Sequence, residues 1–183
     1  IEIKSVTSRI NTSKNGFLIG YVRIKQFNAN AAKDLKKILI DYETKKVSGY
    51  ILDLRGNPGG LLDSSIDISR QFINKGIIVS TLSKNGLKEV KRANGRALTS
   101  KPLVVLVNES SASASEIVSG AIRDNLRGKL VGKKTFGKGL VQSMRSLVDG
   151  SGLTVTVAKY LTPNGIDINK FGIKPDIEVN MNV

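Results

Sequence analysis

The chain has 183 residues, 40% of them hydrophobic, and a formal charge of +14 from 29 Lys and Arg against 15 Asp and Glu. That length suffices for one sizeable core but not for two full domains, so we expect one domain. The chain contains no His and no Cys. This composition excludes disulfides, thiol catalysis, thiolate metal sites and most zinc sites. No apolar run approaches the roughly 20 residues that a membrane-spanning helix requires.

The positive charge raises the question of nucleic acid or an anionic membrane surface as a partner. The basic residues are dispersed, however, and the densest groups are Lys33, Lys36 and Lys37, followed by Lys45 and Lys46. Aromatic residues make up only 5% of the chain, too few for a platform that stacks single strands. We therefore expect a solvated basic surface and no nucleic-acid partner, with peripheral contact to a membrane surface left open.

The first half of the chain alternates between strand and helix patterns. Residues 1–6 alternate apolar and polar side chains without an initiating Met, which indicates a fragment of a longer polypeptide. The hydrophobic spacing predicts a strand at 17–27, a helix at 31–42, a buried strand at 49–55, a Gly-rich break at 56–60 and a helix at 61–73.

The second half begins with a predicted hairpin and then repeats the alternation. The predicted elements are strands at 77–82 and 87–92 around the turn at 85–86, a buried strand at 102–107, a helix at 114–126, strands at 130–131, 140–147 and 153–161, and a turn at 163–165. The fold class is therefore α/β, built from repeated strand-strand-helix units.

A serine-rich segment, E-S-S-A-S-A-S-E, follows the buried strand at 109–116. Ser113 lies between Ala112 and Ala114, whose small side chains permit a tight turn into the next helix. The start of that helix supplies unpaired N–H groups, so the Ala114 amide could donate to an oxyanion. Ser113 and Glu116 also fit a capping box, in which Ser113 only caps the helix. On this segment alone the cap is the favoured interpretation.

A serine nucleophile needs a base, and without His the candidate is Lys138 in T-F-G-K-G. A lysine acts as a base only when it is neutral, so we expect Phe136, Leu140 and Val141 to bury it. If this segment is extended, Gln142 lies on the same side as Lys138 and could hold its amine in line. The alternative is a surface lysine in a Gly-flanked loop.

Two glycine-rich segments need separate interpretations. Residues 132–138 nearly match a phosphate-binding loop, but Gly139 stands where Ser or Thr is required and a strand follows. We therefore reject a nucleotide role and expect no cofactor. The L-R-G-N-P-G-G segment at 54–60 is by itself typical of a turn. Gly59 or Gly60 could nonetheless direct a second backbone N–H toward an oxyanion.

Taken together, these motifs resemble the carboxyl-terminal processing (tail-specific) serine proteases. The resemblance rests on I-L-D-L-R-G-N-P-G-G-L-L at 51–62, V-N-E-S-S-A-S-A-S-E-I at 107–117, T-F-G-K-G-L-V-Q at 135–142, Y-L-T-P-N-G at 160–165 and G-I-K-P-D at 172–176. Several long motifs in one order are more specific than any one of them. The resemblance implies a crotonase/ClpP-like core.

The resemblance also implies a role for each candidate residue of a serine endopeptidase. These roles are nucleophile for Ser113, general base for Lys138, positioning of the lysine for Gln142, and oxyanion donors for Ala114 with Gly59 or Gly60. The implied substrate is a protein or peptide with a free C-terminus, cleaved near that end. The implied location is extracytoplasmic, in the bacterial periplasm or cell envelope or in the thylakoid lumen.

Members of that family usually carry a PDZ domain ahead of the protease core, and only its last strand could fit within residues 1–6. We therefore expect a protease core over 1–183, with 1–15 as the remnant of a PDZ domain and a connecting strand. Two alternatives stay open. One is a catalytically silent crotonase-like module that binds peptides or acts as a scaffold, and the other, a nucleic-acid binder, rests on charge alone.

Overall fold

The computed structural model describes residues 4–180, which form two sheets and three helices. In chain order the elements are β1 (Val6–Thr12), β2 (Leu18–Ile24), α1 (Ala31–Thr44), β3 (Gly49–Asp53), α2 (Leu62–Phe72), β4 (Ile77–Ser83), β5 (Lys88–Arg92), β6 (Leu103–Val107), α3 (Ala114–Asp124), β7 (Lys129–Gly132), β8 (Leu140–Ser146), β9 (Gly152–Leu161) and β10 (Ile177–Glu178).

The larger sheet has six strands in the order β1-β2-β3-β6-β7-β10. The strands from β2 to β10 pair in parallel, and β1 pairs antiparallel with β2 at one edge. Asp53, the last residue of β3, is paired with Leu106 in β6. Because these two strands end side by side, the glycine-rich loop after β3 and the serine segment after β6 leave the sheet as neighbours.

The three helices pack on one face of this sheet and form the core with it. α1 buries the residues that its 3.6-residue period aligns on one side, namely Ala31, Leu35, Leu39 and Tyr42. α3 is buried over most of its length, and small residues such as Ser119 and Gly120 let it pack against its neighbours. α2 lies between α1 and α3 and contacts both. The helix that begins after Ser113 is thus held rigidly in the protein interior.

The smaller sheet is antiparallel, in the order β5-β4-β9-β8. Leu140, at the start of β8, is paired with Lys159 in β9. The register of this pair shifts between Val141 and Gln142, where β9 carries one extra residue. Lys138, whose backbone N–H is bonded to Glu116 of α3, therefore lies two residues before the chain enters this sheet at Leu140.

Most of the expected elements are confirmed to within a few residues, and the α/β class is confirmed with them. Two strands were missed, β1 and β10. β1 is a largely polar edge strand and β10 has two residues, so neither carries a hydrophobic pattern. The strand-strand-helix order holds for β1-β2-α1 and for β5-β6-α3, but not for α2, which follows the single strand β3.

The start of the chain was expected to be a remnant of a preceding domain. Residues 1–3 lie outside the described residues, and β1 pairs with β2 along its whole length as part of the larger sheet. Within residues 4–180, no helix combines the length and the apolar character that crossing a membrane requires.

A buried ionic cluster fixes the end of β3. Asp53 is 0% exposed, and the Arg55 guanidinium donates to both of its oxygens, at 2.9 and 2.7 Å. The Tyr21 hydroxyl donates to the same carboxylate at 2.6 Å. Burial by itself would raise the pKa of Asp53, but the hydrogen bonds from Arg55 and Tyr21 outweigh it and hold the pKa below its ordinary value. The cluster anchors the first residues of the glycine-rich loop.

We predict that Asp53→Asn lowers the free energy of unfolding at pH 7 by about 1.5–3 kcal/mol, because Arg55 loses its charged acceptor. A carboxyl group whose pKa is lower in the folded state than in the unfolded state contributes its full stabilisation at pH values above the unfolded-state pKa. That contribution is lost as the pH falls through the folded-state pKa. The difference between parent and variant should therefore shrink below about pH 4. Urea denaturation from pH 7 to pH 2 measures it.

The matched control is Glu178→Gln, which removes an exposed carboxylate from β10. That variant should follow the parental curve across the whole range. A constant gap between Asp53→Asn and the parent down to pH 2 would contradict the assigned linkage.

Candidate active site

Ser113 occupies a strained turn between β6 and α3. Its backbone angles are φ 54° and ψ −112°, a combination that residues other than glycine rarely adopt. Such a conformation costs energy and persists only where the surrounding structure enforces it. The residue is partly exposed, whereas Ala112 and Ala114 on either side are buried. A serine on a sharp, strained turn from strand to helix is the arrangement that presents a nucleophilic hydroxyl.

The serine segment is hydrogen-bonded to the glycine-rich loop along its length. The Ser111 hydroxyl donates to the Leu54 carbonyl at 2.8 Å. The Asn57 carbonyl accepts the Ala112 N–H at 3.0 Å and the Ser115 hydroxyl at 2.9 Å. These bonds enforce the strained turn, because Ala112 before Ser113 and Ser115 after it are both fixed to the Asn57 carbonyl.

Gly59 lies directly against Ser113. Its φ is +105°, and a Cβ there would stand 2.8 Å from the Ser113 Cβ and 3.0 Å from the Ala114 nitrogen. The side chain of Asn57, 0% exposed, holds this approach because its Oδ1 accepts the Gly59 N–H at 2.9 Å and its Nδ2 donates to the Ile24 carbonyl at 2.8 Å. Only glycine fits at this distance from the serine.

The three predicted oxyanion donors differ in availability. The Gly59 N–H is engaged by Asn57. The N–H groups of Gly60 and Ala114 have no acceptor among residues 4–180. Gly60 is held next to Phe27, since the Leu61 N–H donates to the Phe27 carbonyl at 2.7 Å. The unpaired N–H groups of Gly60 and Ala114 thus lie next to the point where Gly59 contacts Ser113.

The buried carboxylate of Glu116 joins Ser113 to the loop of Lys138. Glu116 is 0% exposed, and its Oε2 accepts the backbone N–H of Ser113 at 2.9 Å and that of Lys138 at 2.8 Å. Its Oε1 accepts the Gly137 N–H at 2.7 Å and the Thr135 hydroxyl at 2.6 Å. The main chains at Ser113 and Lys138 are therefore neighbours, although 24 intervening residues separate them in sequence.

The loop that carries Lys138 is fixed on its other side as well. The Gly137 carbonyl accepts the Lys170 N–H at 2.8 Å, and the Gly139 carbonyl accepts the Tyr160 N–H at 2.7 Å. The Thr135 hydroxyl that donates to Glu116 also accepts the Ile173 N–H at 2.7 Å. The main chain on both sides of Lys138 is thus held by α3, by β9 and by the segment near the C-terminus.

The expected burial of Lys138 is wrong for this structure. Lys138 is exposed, and Phe136, which was expected to cover it, is 65% exposed. Leu140 and Val141 are partly buried. The reason is that the main chain of the loop, rather than the lysine side chain, turns inward to Glu116.

Gln142 is also exposed, and the expected geometry from Lys138 to Gln142 is only partly met. Lys138 precedes β8, which begins at Leu140, and the shift of register falls directly before Gln142. The simple alternation of sides that the prediction assumed therefore does not extend to Lys138, although the extra residue of the shift lies in β9 and leaves the alternation within β8 intact.

Glu116 and Asn57 are the residues whose importance the sequence reasoning missed. The capping box predicted the contact of Glu116 with the Ser113 N–H, but not its contacts with Thr135, Gly137 and Lys138. Within residues 4–180, no cluster of three or more acidic side chains could hold a metal ion.

Residues 18–179 match Peptidase family S41. The chain belongs to this family. It is 52% identical over 176 residues to the carboxyl-terminal-processing protease of Synechocystis sp. (strain ATCC 27184 / PCC 6803 / Kazusa), covering 96% of this chain and 41% of that protein. It is 42% identical to the chloroplastic C-terminal processing peptidase of Tetradesmus obliquus, covering 90% of this chain and 36% of the relative.

The fold of this S41 chain matches that of a photosystem II D1 C-terminal processing protease, with a TM-score of 0.91 and 37% identity. The match covers 98% of this chain and 49% of that structure. The resemblance to carboxyl-terminal processing proteases is therefore confirmed. The chain spans less than half the length of each of these proteins.

We predict that Gly59→Ala destabilises the S41 core more than a glycine substitution in open space. The control is Gly86→Ala, which has a φ of +82° and no atom within 4 Å of the added Cβ, and should cost about 1–2 kcal/mol through backbone strain. At Gly59 the contact with Ser113 adds a further cost of about 1–3 kcal/mol. Urea denaturation of both variants measures the difference, and equal losses would contradict the close packing.

Proposed function

We propose that this chain is the catalytic core of a serine endopeptidase that cleaves protein substrates near their C-terminus. Membership of Peptidase family S41 supports this reaction class. The names of the relatives, which are C-terminal processing proteases, support the position of cleavage. The observation that carries the proposal is the shared Glu116 oxygen, because it brings a strained serine and a lysine together in a chain without His or Cys.

In the proposed reaction the Ser113 hydroxyl attacks the scissile carbonyl, and its proton passes to the Lys138 amine. The tetrahedral intermediate collapses as Lys138 returns that proton to the leaving amine, which leaves an ester between Ser113 and the acyl part. Water then attacks the ester with Lys138 again as the base. The products are two peptides, and Ser113 regains its proton.

The negative charge that develops on the substrate oxygen needs N–H donors. We assign this role to Ala114 and Gly60, whose N–H groups are unpaired, and Ala114 also lies at the positive end of α3. Gly59 has a different role in this scheme. Its lack of a side chain leaves room beside Ser113, while its own N–H stays with Asn57.

Because Lys138 is exposed, the proposed mechanism requires cover that arrives with the substrate. A bound peptide that excludes water from the lysine favours the neutral amine that can accept a proton. Gln142 would then position the amine from β8. In this proposal the Lys138 amine acts as the base only in the enzyme–substrate complex, where the bound peptide covers it.

The remaining expectations extend the same proposal. The substrate is a protein or peptide with a free C-terminus, the architecture is a crotonase/ClpP-like core, and residues 1–15 connect to a PDZ domain. The relatives from a cyanobacterium and from a chloroplast support an extracytoplasmic location such as the periplasm or the thylakoid lumen.

A second candidate function is a silent module that binds or organises peptides. The exposure of Lys138 favours it, as does the contact between Glu116 and the Ser113 N–H, which also fits a simple helix cap. In that case neither Ser113 nor Lys138 would affect any cleavage.

We predict that Ser113→Ala and Lys138→Ala each lower turnover by about 10³-fold or more, because the two groups act as one unit. The matched control is Lys134→Ala, an exposed lysine of the same loop, which should retain parental turnover. The assay follows cleavage of an unstructured protein with a free apolar C-terminus. It uses this chain and a chimera in which the chain replaces the matching 176 residues of the Synechocystis relative.

If Lys138→Ala retains turnover in the chimera, lysine is not the base. If the chimera of the unmodified chain cleaves nothing, the silent module is the better assignment.

We predict that Glu116→Gln lowers kcat by about 100-fold and leaves KM nearly unchanged, because the reacting groups move relative to each other. An amide cannot accept the four donors that the carboxylate accepts. Thr135→Val is the control, since it removes one donor at Oε1 and the acceptor of the Ile173 N–H but leaves both bonds at Oε2. Steady-state kinetics with the folded variants tests this, and a change confined to KM would refute a positioning role for Glu116.

A further inference from the structure

A cleft of about 340 Å³ lies between α1, α2 and the segment that precedes β6. It is lined by Ala32, Lys33, Lys36, Asp67, Arg70, Gln71, Asn94, Arg96 and Leu98. None of these residues belongs to the candidate active site. Two hydrogen bonds hold the walls together, from the Leu98 N–H to the Gln71 carbonyl at 2.8 Å and from the Gln71 amide to the Ala32 carbonyl at 2.8 Å.

The cleft concentrates unpaired positive charge. Four cationic side chains line it against a single carboxylate, that of Asp67, which is paired with Arg70 at 3.1 Å. Lys33, Lys36 and Arg96 have no acidic partner in the part of the chain that the structure describes. Three like charges that converge on one cavity repel each other, so an anion bound among them relieves that repulsion.

Gln71 adds an independent feature of the same wall. It is 8% exposed, and its amide oxygen has no donor among residues 4–180. Its amide nitrogen is committed to Ala32, which fixes the orientation of the group. The amide oxygen has almost no accessible surface, so a ligand in the cleft does not reach it. The cleft therefore selects its ligand by negative charge.

We propose that this cleft binds a phosphate-bearing ligand. The planar guanidinium of Arg96 can donate two parallel N–H groups to phosphate oxygens, whereas Arg70 is already bound to Asp67 and to the Arg92 carbonyl. A phosphate monoester carries close to two negative charges at neutral pH, whereas a carboxylate carries one. Phosphate therefore offsets more of the unpaired positive charge of Lys33, Lys36 and Arg96 than a carboxylate does.

The test compares two adjacent lysines of α1 that differ only in where they lie. Lys36 lines the cleft and Lys37 does not, and both are exposed. Binding of inorganic phosphate to the chain is measured by NMR titration at pH 6.5 and constant ionic strength. We expect Lys36→Gln to weaken phosphate binding by about tenfold, and Lys37→Gln by less than about twofold.

Acetate, which carries a single negative charge, should bind more weakly than phosphate under the same conditions. Equal effects of Lys36→Gln and Lys37→Gln would overturn the proposal in favour of diffuse surface attraction. Acetate binding as tightly as phosphate would overturn the choice of phosphate. An acidic peptide that binds the cleft more tightly than phosphate would overturn the choice of ligand.

Two sources of phosphate remain to be distinguished by sedimentation with vesicles that contain phosphatidic acid. If a lipid headgroup is the source, Lys36→Gln reduces sedimentation more than Lys37→Gln does, and free phosphate competes. If the source is a soluble phosphate ester, the two variants sediment alike while their phosphate affinities still differ. Both results support the site, since each depends on the same cleft residues.

Discussion

The carboxylate of Glu116 is the constraint on which the candidate site depends. Removing an ionised carboxylate from water costs several kcal/mol unless donors replace the solvent. Four donors do so here, and they come from the start of α3 and from the loop at 135–138. Because that loop supplies three of the four, it cannot move away from Ser113 without leaving a buried charge unsatisfied. The interaction that stabilises the loop therefore also fixes the spacing between the main chains of Ser113 and Lys138.

Asn57 plays the corresponding part on the other side of Ser113. Parallel pairing of β3 and β6 brings their following loops together, and the Asn57 carbonyl joins them by accepting from Ala112 and Ser115. The Asn57 side chain fixes the glycine-rich loop itself, through Ile24 of β2 and through Gly59. The strain in the Ser113 turn is maintained by these bonds, not by the local sequence. Glycine at position 59 is required by the same contact, since any side chain would occupy the space beside the serine.

Local patterns predicted the helices, the strands and the turn at Ser113, because each depends on side chains within a few positions. The strand β1 was missed because its residues are polar and its partner lies across a turn. The contacts of Glu116 with Thr135, Gly137 and Lys138 have no local signal, since they join segments about twenty residues apart. The expected burial of Lys138 failed for a related reason. Apolar neighbours such as Phe136 indicate burial only when the loop turns their side chains inward.

The site thus combines a rigid main chain with an exposed amine. The hydrogen bond to Glu116 fixes the main chain at Lys138 but leaves the four-carbon side chain of the lysine in solvent. A protonated lysine near Ser113 cannot take a proton, whereas a covered and neutral one can. The fold therefore supplies the alignment of the two main-chain positions permanently, whereas the basicity proposed for Lys138 depends on what covers the loop. Under the proposed mechanism, only a polypeptide that excludes water from the loop completes the site.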